Sequence, residues 1–493
     1  MKKILILIGI LSITFGCTDD NLTSMNVDTK NPTAVPAGAL LGNAEKNLID
    51  QMVNTNVNSN VFRLFVQQWT ETTYLDESRY DILQRNVPDN HWRTLYRDVL
   101  RDLKEASAIV SVEPLNADPS KAAIELKVKN NKLAIIELLN VYTYSVLVDT
   151  FGNIPYTQAL QSDKFPSPTY DDAQTIYADL FIRLDAALLK LDSANKSFGD
   201  QDFIYQGNVA KWEKFANSLK LKMAITVADV AELNPKSKAE AAIAAGVFTA
   251  STDNATLQYL ETSPNTNPLY EDLVISGRYD FVAADTFVDR LNTLNDPRRQ
   301  YFYIDIEGVY IGCPYAEGGD FENFSSAGDP TGGPTTRLLE PTLEGILLDY
   351  TEVQFYLAEA TERGYTTGGT AKSFYDNAVT SSIVYWGGTV SDATTYLTND
   401  APYTGGVNWK KEIGTQASIA FYNRGFEAWT SYRKLDFPVL DAPANAATAA
   451  EGVVPRRFTY PVNEQTLNKA NYSTAATAIG GDKLKTKLFW DKN

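Results

Sequence analysis

Residues 346–378 read ILLDYTEVQFYLAEATERGYTTGGTAKSFYDNA. Ile346, Tyr350, Val353, Leu357 and Ala360 step by four, three, four and three, which places them on one face of an α-helix. Gly364 and Gly368-Gly369 then interrupt the pattern. A second helix follows, with Ala371, Tyr375 and Ala378 at i, i+4 and i+7. Small residues on that face let two helices approach closely, as in the hairpin of a tetratricopeptide-like (TPR-like) repeat. No strict period of about 34 residues recurs elsewhere, so any further repeats are divergent.

Helical period also runs through the N-terminal half. Leu95, Val99, Asp102 and Ala106 share one spacing, Lys121–Asp149 predicts one long helix, and Tyr170–Asp192 predicts another. Trp212, Phe215, Leu219 and Met223 again step by three and four, with Gly207-Asn208 as a start signal. Between 250 and 340 the character changes. Asp305–Arg337 is dense in Gly and Pro and holds Tyr310, Tyr315, Phe321 and Phe324. Loops beyond about 15 residues are uncommon in compact domains and are often functional. The expected fold is mainly α: one unit over 37–493, with TPR-like helices mainly in 37–246 and 345–435. A loop-rich region in 250–340 and 436–493 packs on that scaffold.

The chain opens MKKILILIGILSITFGCTDD. Lys2 and Lys3 precede the apolar run Ile4–Phe15, which is shorter than the ~20 residues a bilayer span needs. This is the layout of a secretory signal. Gly16-Cys17 ends it as in a lipobox, so a signal peptide over 1–16, a lipidated Cys17 and a polar tether to 36 are expected. No second uninterrupted apolar run of spanning length follows.

Counting residues excludes several chemistries. Cys17 and Cys313 are the two cysteines and His91 is the one histidine. With Cys17 acylated, neither an intramolecular disulfide nor a Cys-based zinc site can form. Triads of the Ser-His-Asp or Cys-His type lack imidazoles, and so do His-rich metal sites. His91, beside Trp92 at a helix start, reads as a capping or packing residue. No cofactor is expected. The formal charge of −17 disfavours nucleic acid as a partner and argues against polyanionic ligands.

Seven blocks then line up in order: QQWTETTYLDESRY at 67–80, FGNIPYTQAL at 151–160, KWEKFANSLKLKMA at 211–224, NDPRRQYFY at 295–303, DYTEVQFYLAEA at 349–360, FEAWTSYRKLDFPVL at 426–440 and VPRRFTYPVNEQTLNKANY at 454–472. Together with Cys17 and the acidic pair Asp19-Asp20, they resemble the SusD/RagB nutrient-binding outer-membrane lipoproteins of Bacteroidota, most closely the SusD-like branch. The resemblance implies a right-handed TPR-like scaffold carrying a loop-rich remainder. It also implies a non-enzymatic, cell-surface glycan-binding lipoprotein. Such a protein sits as a lid over a SusC-like TonB-dependent transporter and delivers oligosaccharide, or sometimes peptide, to it. Alternatives left open are a peptide-binding SusD-like lipoprotein, a surface glycoside hydrolase using paired carboxylates, and a TPR-like adaptor that binds only protein.

Most residues of these blocks read as structural. Trp92, Trp212 and Trp429 fit core packing. Arg433, Arg456 and Arg457 are expected to pair with carboxylates, and Asn217 and Asn468 to satisfy backbone groups. Sugar binding needs flat aromatic rings for the apolar faces of a pyranose, with polar side chains for its hydroxyl rim. One stacked ring is worth roughly 1–2 kcal/mol at ~25 cal/mol per Å². The family's ligand face maps here to Tyr74, Asp76, Arg79 and Tyr80 in the first loop. In the non-repeat region it maps to Arg278, Tyr279, Asp280, Tyr310 and Tyr315. Trp386 and Trp409 are flanked by glycine, which predicts exposed loop platforms. The acidic charge favours a neutral oligosaccharide or polysaccharide, with β-glucan as a first class to test.

Overall fold

The computed structural model describes residues 35–329 and 332–492. The signal segment, Cys17 and the tether up to residue 34 lie outside the described residues. Helices α1 (Ala37–Val53), α2 (Arg101–Ser111), α3 (Pro119–Phe151) and α4 (Ala173–Leu188) build the first part of the scaffold. Next come α5 (Val209–Thr226) and α6 (Pro235–Ala245). After the irregular middle segment the chain returns to helix with α7 (Tyr350–Glu362), α8 (Ala371–Trp386), α9 (Val390–Asn399), α10 (Trp409–Ala420) and α11 (Gly425–Leu435). Successive helices pack as pairs, α3 on α4, α5 on α6, α7 on α8 and α10 on α11. Neighbouring pairs meet through α5 and α7, which is TPR-like stacking.

Local chemistry explains the boundaries. Asp349 caps α7 by accepting from the Glu352 backbone N–H at 2.8 Å. The helix therefore starts after Ile346, which lies in the short strand Gly345–Leu348 and not on the helix face its spacing predicts. Thr370 and Ser373 form a capping box at the start of α8. Ala360 and Ala378 are fully buried, as close helix approach requires. Helix α3 is long and apolar enough to cross a membrane by composition, but it is mostly buried and serves as the core helix of this fold.

A buried ion cluster ties three helices together. Lys222 of α5 lies 2.8 Å from Glu352 of α7 and 3.4 Å from Glu427 of α11. Arg424 pairs with Asp349 at 2.9 Å and also with Glu352. Burial pushes the Glu352 carboxyl up, but Lys222 and Arg424 outweigh it and hold the group below its ordinary value. Three of the sequence blocks thus meet in one polar seam.

Among the described residues four short strands accompany the helices: β1 (Trp69–Glu71), β2 (Ala255–Leu257), β3 (Phe281–Ala283) and β4 (Gly345–Leu348). β1 pairs antiparallel with β3, with Thr70 opposite Val282, and β2 pairs antiparallel with β4. The 250–340 region is less irregular than its composition predicts. It holds the helix Asp285–Thr293, whose Phe287, Val288 and Leu291 are buried. Near the C-terminus, Arg457 pairs with Asp482 at 2.5 Å and Arg456 with Asp436 at 3.1 Å. Arg433 departs from the expected carboxylate pairing. It lies over Trp429 and donates to the carbonyls of Asp149 and Arg456, at 2.7 and 3.0 Å.

Candidate glycan-binding face

The β1–β3 pair brings the 70–80 loop against the non-repeat region. Thr72 donates its N–H to the Asp280 carbonyl at 2.7 Å and its hydroxyl to the Tyr279 carbonyl at 3.0 Å. The Thr72 carbonyl accepts from Gly319 N–H at 3.1 Å, and Arg79 Nε donates to the Ala316 carbonyl at 3.2 Å. Ser325 and Ser326 accept through their carbonyls from Ala283 and Ile304 N–H, both at 2.8 Å. Three separate segments, 70–80, 278–283 and 316–326, therefore share one face.

That face contains a cleft of about 320 Å³. Tyr279, Phe321 and Phe324 supply rings, Ile304 and Ile306 an apolar floor, and Glu322 and Asp329 carboxylates; among the described residues no basic side chain lines it. The Tyr279 and Phe321 rings meet edge to face, 5.5 Å between centroids. Gly319, at φ +153°, leaves room for Phe324: a Cβ there would stand 2.8 Å from the Phe324 ring. Tyr74 is 69% exposed one residue beyond Thr73, whose hydroxyl donates to Asp280 at 3.3 Å. Arg278 forms an ion pair with Asp280, and Asp76 lies 3.9 Å from Arg85. Tyr74, Asp76, Arg79, Arg278, Tyr279 and Asp280 are thus gathered, with Tyr279 alone of these in the cleft wall.

Other predicted positions fall elsewhere. Tyr80 is fully buried, edge-on to Phe65 at 5.6 Å, and its hydroxyl accepts from Gln67 Nε2 at 3.1 Å. Tyr315 is buried too and donates to the Leu64 carbonyl at 2.7 Å. Both rings fill the core beneath the loop. Trp386 corrects the expectation of an exposed platform. It is the last residue of α8, 4% exposed, and packs edge-on against Phe302 at 5.1 Å. Its glycine neighbour Gly387, at φ +116°, is the left-handed helix terminator. Trp409 opens α10 instead of lying in a loop, and is half-buried with the Arg363 guanidinium 5.5 Å from its ring centre. Tyr310 is half-buried beside Arg299, 5.7 Å from its ring centre. None of these three lines the cleft.

Phe321, Phe324, Glu322, Asp329, Ile304 and Ile306 were not singled out as binding residues from sequence. The signal that could have found them is the aromatic density of Asp305–Arg337. His91 is buried in an aromatic cluster, its Nδ1 2.9 Å from Gln51 Nε2, and burial pushes its pKa down to about 3. Among the described residues no group of three or more His, Cys, Asp or Glu side chains is placed to hold a metal ion.

Residues 29–461 match the model of the SusD-like family, described as starch-binding and associating with the outer membrane. The chain belongs to the SusD-like family. Its fold is shared with solved structures along almost its entire length. A chitin-binding protein is similar at 24% identity and TM-score 0.78, over 93% of this chain and 100% of that one. A SusD homologue from Bacteroides uniformis is 25% identical with TM-score 0.75, over 92% and 99%. A chitin-binding SusD homologue from Flavobacterium johnsoniae is 21% identical with TM-score 0.74, over 91% and 99%. No curated relative matches the chain. SusD-like proteins are carbohydrate-binding proteins associated with the outer membrane.

Proposed function

We propose that this SusD-like protein captures a neutral oligosaccharide at the Tyr279 cleft on the cell surface and delivers it to a SusC-like TonB-dependent transporter. It is held at the outer membrane by acylated Cys17 and has no hydrolytic activity of its own. The observation that carries the ligand assignment is the cleft: aromatic and aliphatic walls, two carboxylates and, among the described residues, no basic side chain. Rings match the C–H faces of a pyranose, and carboxylates accept from its hydroxyls while repelling uronates and sulfated sugars. The family description names starch, and two similar structures are of chitin-binding proteins; both glycans are neutral. Two or three ring contacts, less the entropy of association, give affinities on the order of micromolar to millimolar.

Calorimetry with maltohexaose, cellohexaose, chitohexaose, laminarihexaose and polygalacturonate tests this. Saturable binding of a neutral hexamer with none of the anionic polymer is expected; β-glucan oligomers are included for linkage. Binding of polygalacturonate alone, or of peptides alone, overturns the assignment. Shortened sugar products after incubation would favour a hydrolase.

A further inference from the structure

A second concavity, of about 460 Å³, lies between the 249–254 segment and the α7–α8 hairpin. It shares no lining residue with the Tyr279 cleft. Helix α8 presents Asn377, Thr380, Ser381 and Val384 to it, at i, i+3, i+4 and i+7. These four form one helix face that no other helix covers completely: Asn377 and Val384 are exposed, and Thr380 and Ser381 are half-buried. The facing wall carries Ser251 and Asn254.

The chemistry of the lining is uniform. Its single carboxylate, Asp349, is committed to the α7 N-terminus at 2.8 Å and to Arg424 at 2.9 Å. Every other polar group in the wall is a hydroxyl, an amide or the backbone. In a chain with 21% charged residues and a net charge of −17, an uncharged groove of this size is a selective feature. Tyr350 and Tyr385 add aromatic surface. The Tyr385 ring is fixed in place by the Arg337 guanidinium stacked 4.3 Å from its centre and by Trp386 edge-on at 5.3 Å. The volume falls within the range of small-molecule sites. Hydroxyls and amides around two rings, with the one carboxylate already paired to Arg424, match the donors, acceptors and C–H faces of a sugar. They offer nothing to a phosphate, a sulfate or an ionic peptide.

We propose that the groove between the α7–α8 hairpin and the 249–254 segment is a second carbohydrate site, taking a neutral disaccharide independently of the Tyr279 cleft. The test is calorimetry and saturation-transfer NMR with maltose, cellobiose and N,N′-diacetylchitobiose on Tyr279→Ala protein. At least one of the three sugars still binds saturably. Thr380→Arg, which fills the groove from α8, weakens that binding at least ~10-fold, whereas Thr380→Ser leaves it within about twofold. Ser251→Arg repeats the block from the opposite, exposed wall should Thr380→Arg fail to fold. Absence of saturable binding of all three sugars to Tyr279→Ala, or binding indifferent to both arginines, overturns the proposal. Binding of the neutral tripeptide Gly-Ser-Gly in place of the sugars overturns it as well. Failure of the cleft assignment looks different: Tyr279→Ala would then leave total sugar binding unchanged.

Discussion

Glu71 and Ser78 close the 70–80 loop on itself: one Glu71 carboxylate oxygen accepts from both the backbone N–H and the hydroxyl of Ser78, at 3.0 and 2.8 Å. The Ser78 hydroxyl oxygen in turn accepts from Glu71 N–H at 3.1 Å. This reciprocal pair sets the arc on which Tyr74 and Asp76 stand. Burial, and then the charge of Glu77, push the Glu71 carboxyl up to about 8. Glu77 is itself paired with Arg85. The folded protein therefore holds a proton that the unfolded chain releases near the ordinary carboxylate value. That contribution is complete below the unfolded pKa and is lost as pH rises through about 8. Glu71→Gln keeps an oxygen acceptor and removes the titration. Its melting temperature relative to the parent is expected to climb steadily between roughly pH 5 and 8. Parallel Tm–pH curves for the two proteins would count against a proton held on Glu71.

Tyr279→Ala and Phe321→Ala are each expected to weaken neutral oligosaccharide binding by roughly 1–2 kcal/mol, or about 5–30-fold, with little change in melting. Trp386→Ala should do the reverse. It empties a buried site next to Phe302 and Tyr422 and costs about 3–5 kcal/mol of stability. Calorimetry and thermal melting on all three variants separate the two behaviours.

Ala378 has no exposed surface and stands on α8, which packs on α7. Ala378→Trp overpacks the hairpin and is expected to cost about 1–3 kcal/mol in urea denaturation. An unchanged midpoint would mean the helix pair can open at that point.

Lys222→Ala leaves Glu352 and Glu427 buried with Arg424 as their remaining cation. Breaking a buried pair from one side costs about 3–5 kcal/mol. Adding Glu352→Gln is expected to recover part of that loss. Strict additivity of the two changes in a double-mutant cycle would show that the groups act separately.

Cys17→Ser is expected to abolish incorporation of labelled palmitate and to release the protein from outer-membrane fractions. Equal labelling of parent and variant would exclude Cys17 as the acylated residue.

The scaffold was legible because packed helices repeat their apolar residues every three to four positions. Val353, Leu357, Ala360, Ala371, Tyr375 and Ala378 are all buried where that period places them. The start of α7 was misjudged at Ile346, since an apolar strand residue continues the helical spacing by coincidence; the Asp349 cap marks the true boundary. The proposed binding face was less legible. A ring in a loop carries no period that says which way it points, so Tyr80 and Tyr315 looked like Tyr74 and Tyr279 although they are core residues. Glycine after Trp386 was ambiguous in the same way, since glycine ends helices as readily as it opens loops. Phe321, Glu322, Phe324 and Asp329 are close in sequence, but Tyr279 and Ile304 join them only through pairing across longer separations, as between Ile304 and Ser326 and between Thr72 and Asp280.

The segments that form the cleft are seated largely through main-chain groups. Thr72 to Asp280, Gly319 to Thr72, Ala283 to Ser325 and Ile304 to Ser326 are all peptide-to-peptide bonds. Such bonds survive almost any exchange of side chain. Selection can therefore redraw the rings and carboxylates facing the ligand while the frame beneath them stays put. A change in the preference of the proposed site then needs only a handful of point substitutions, and grafting 319–329 from a relative becomes a practical route to altering it.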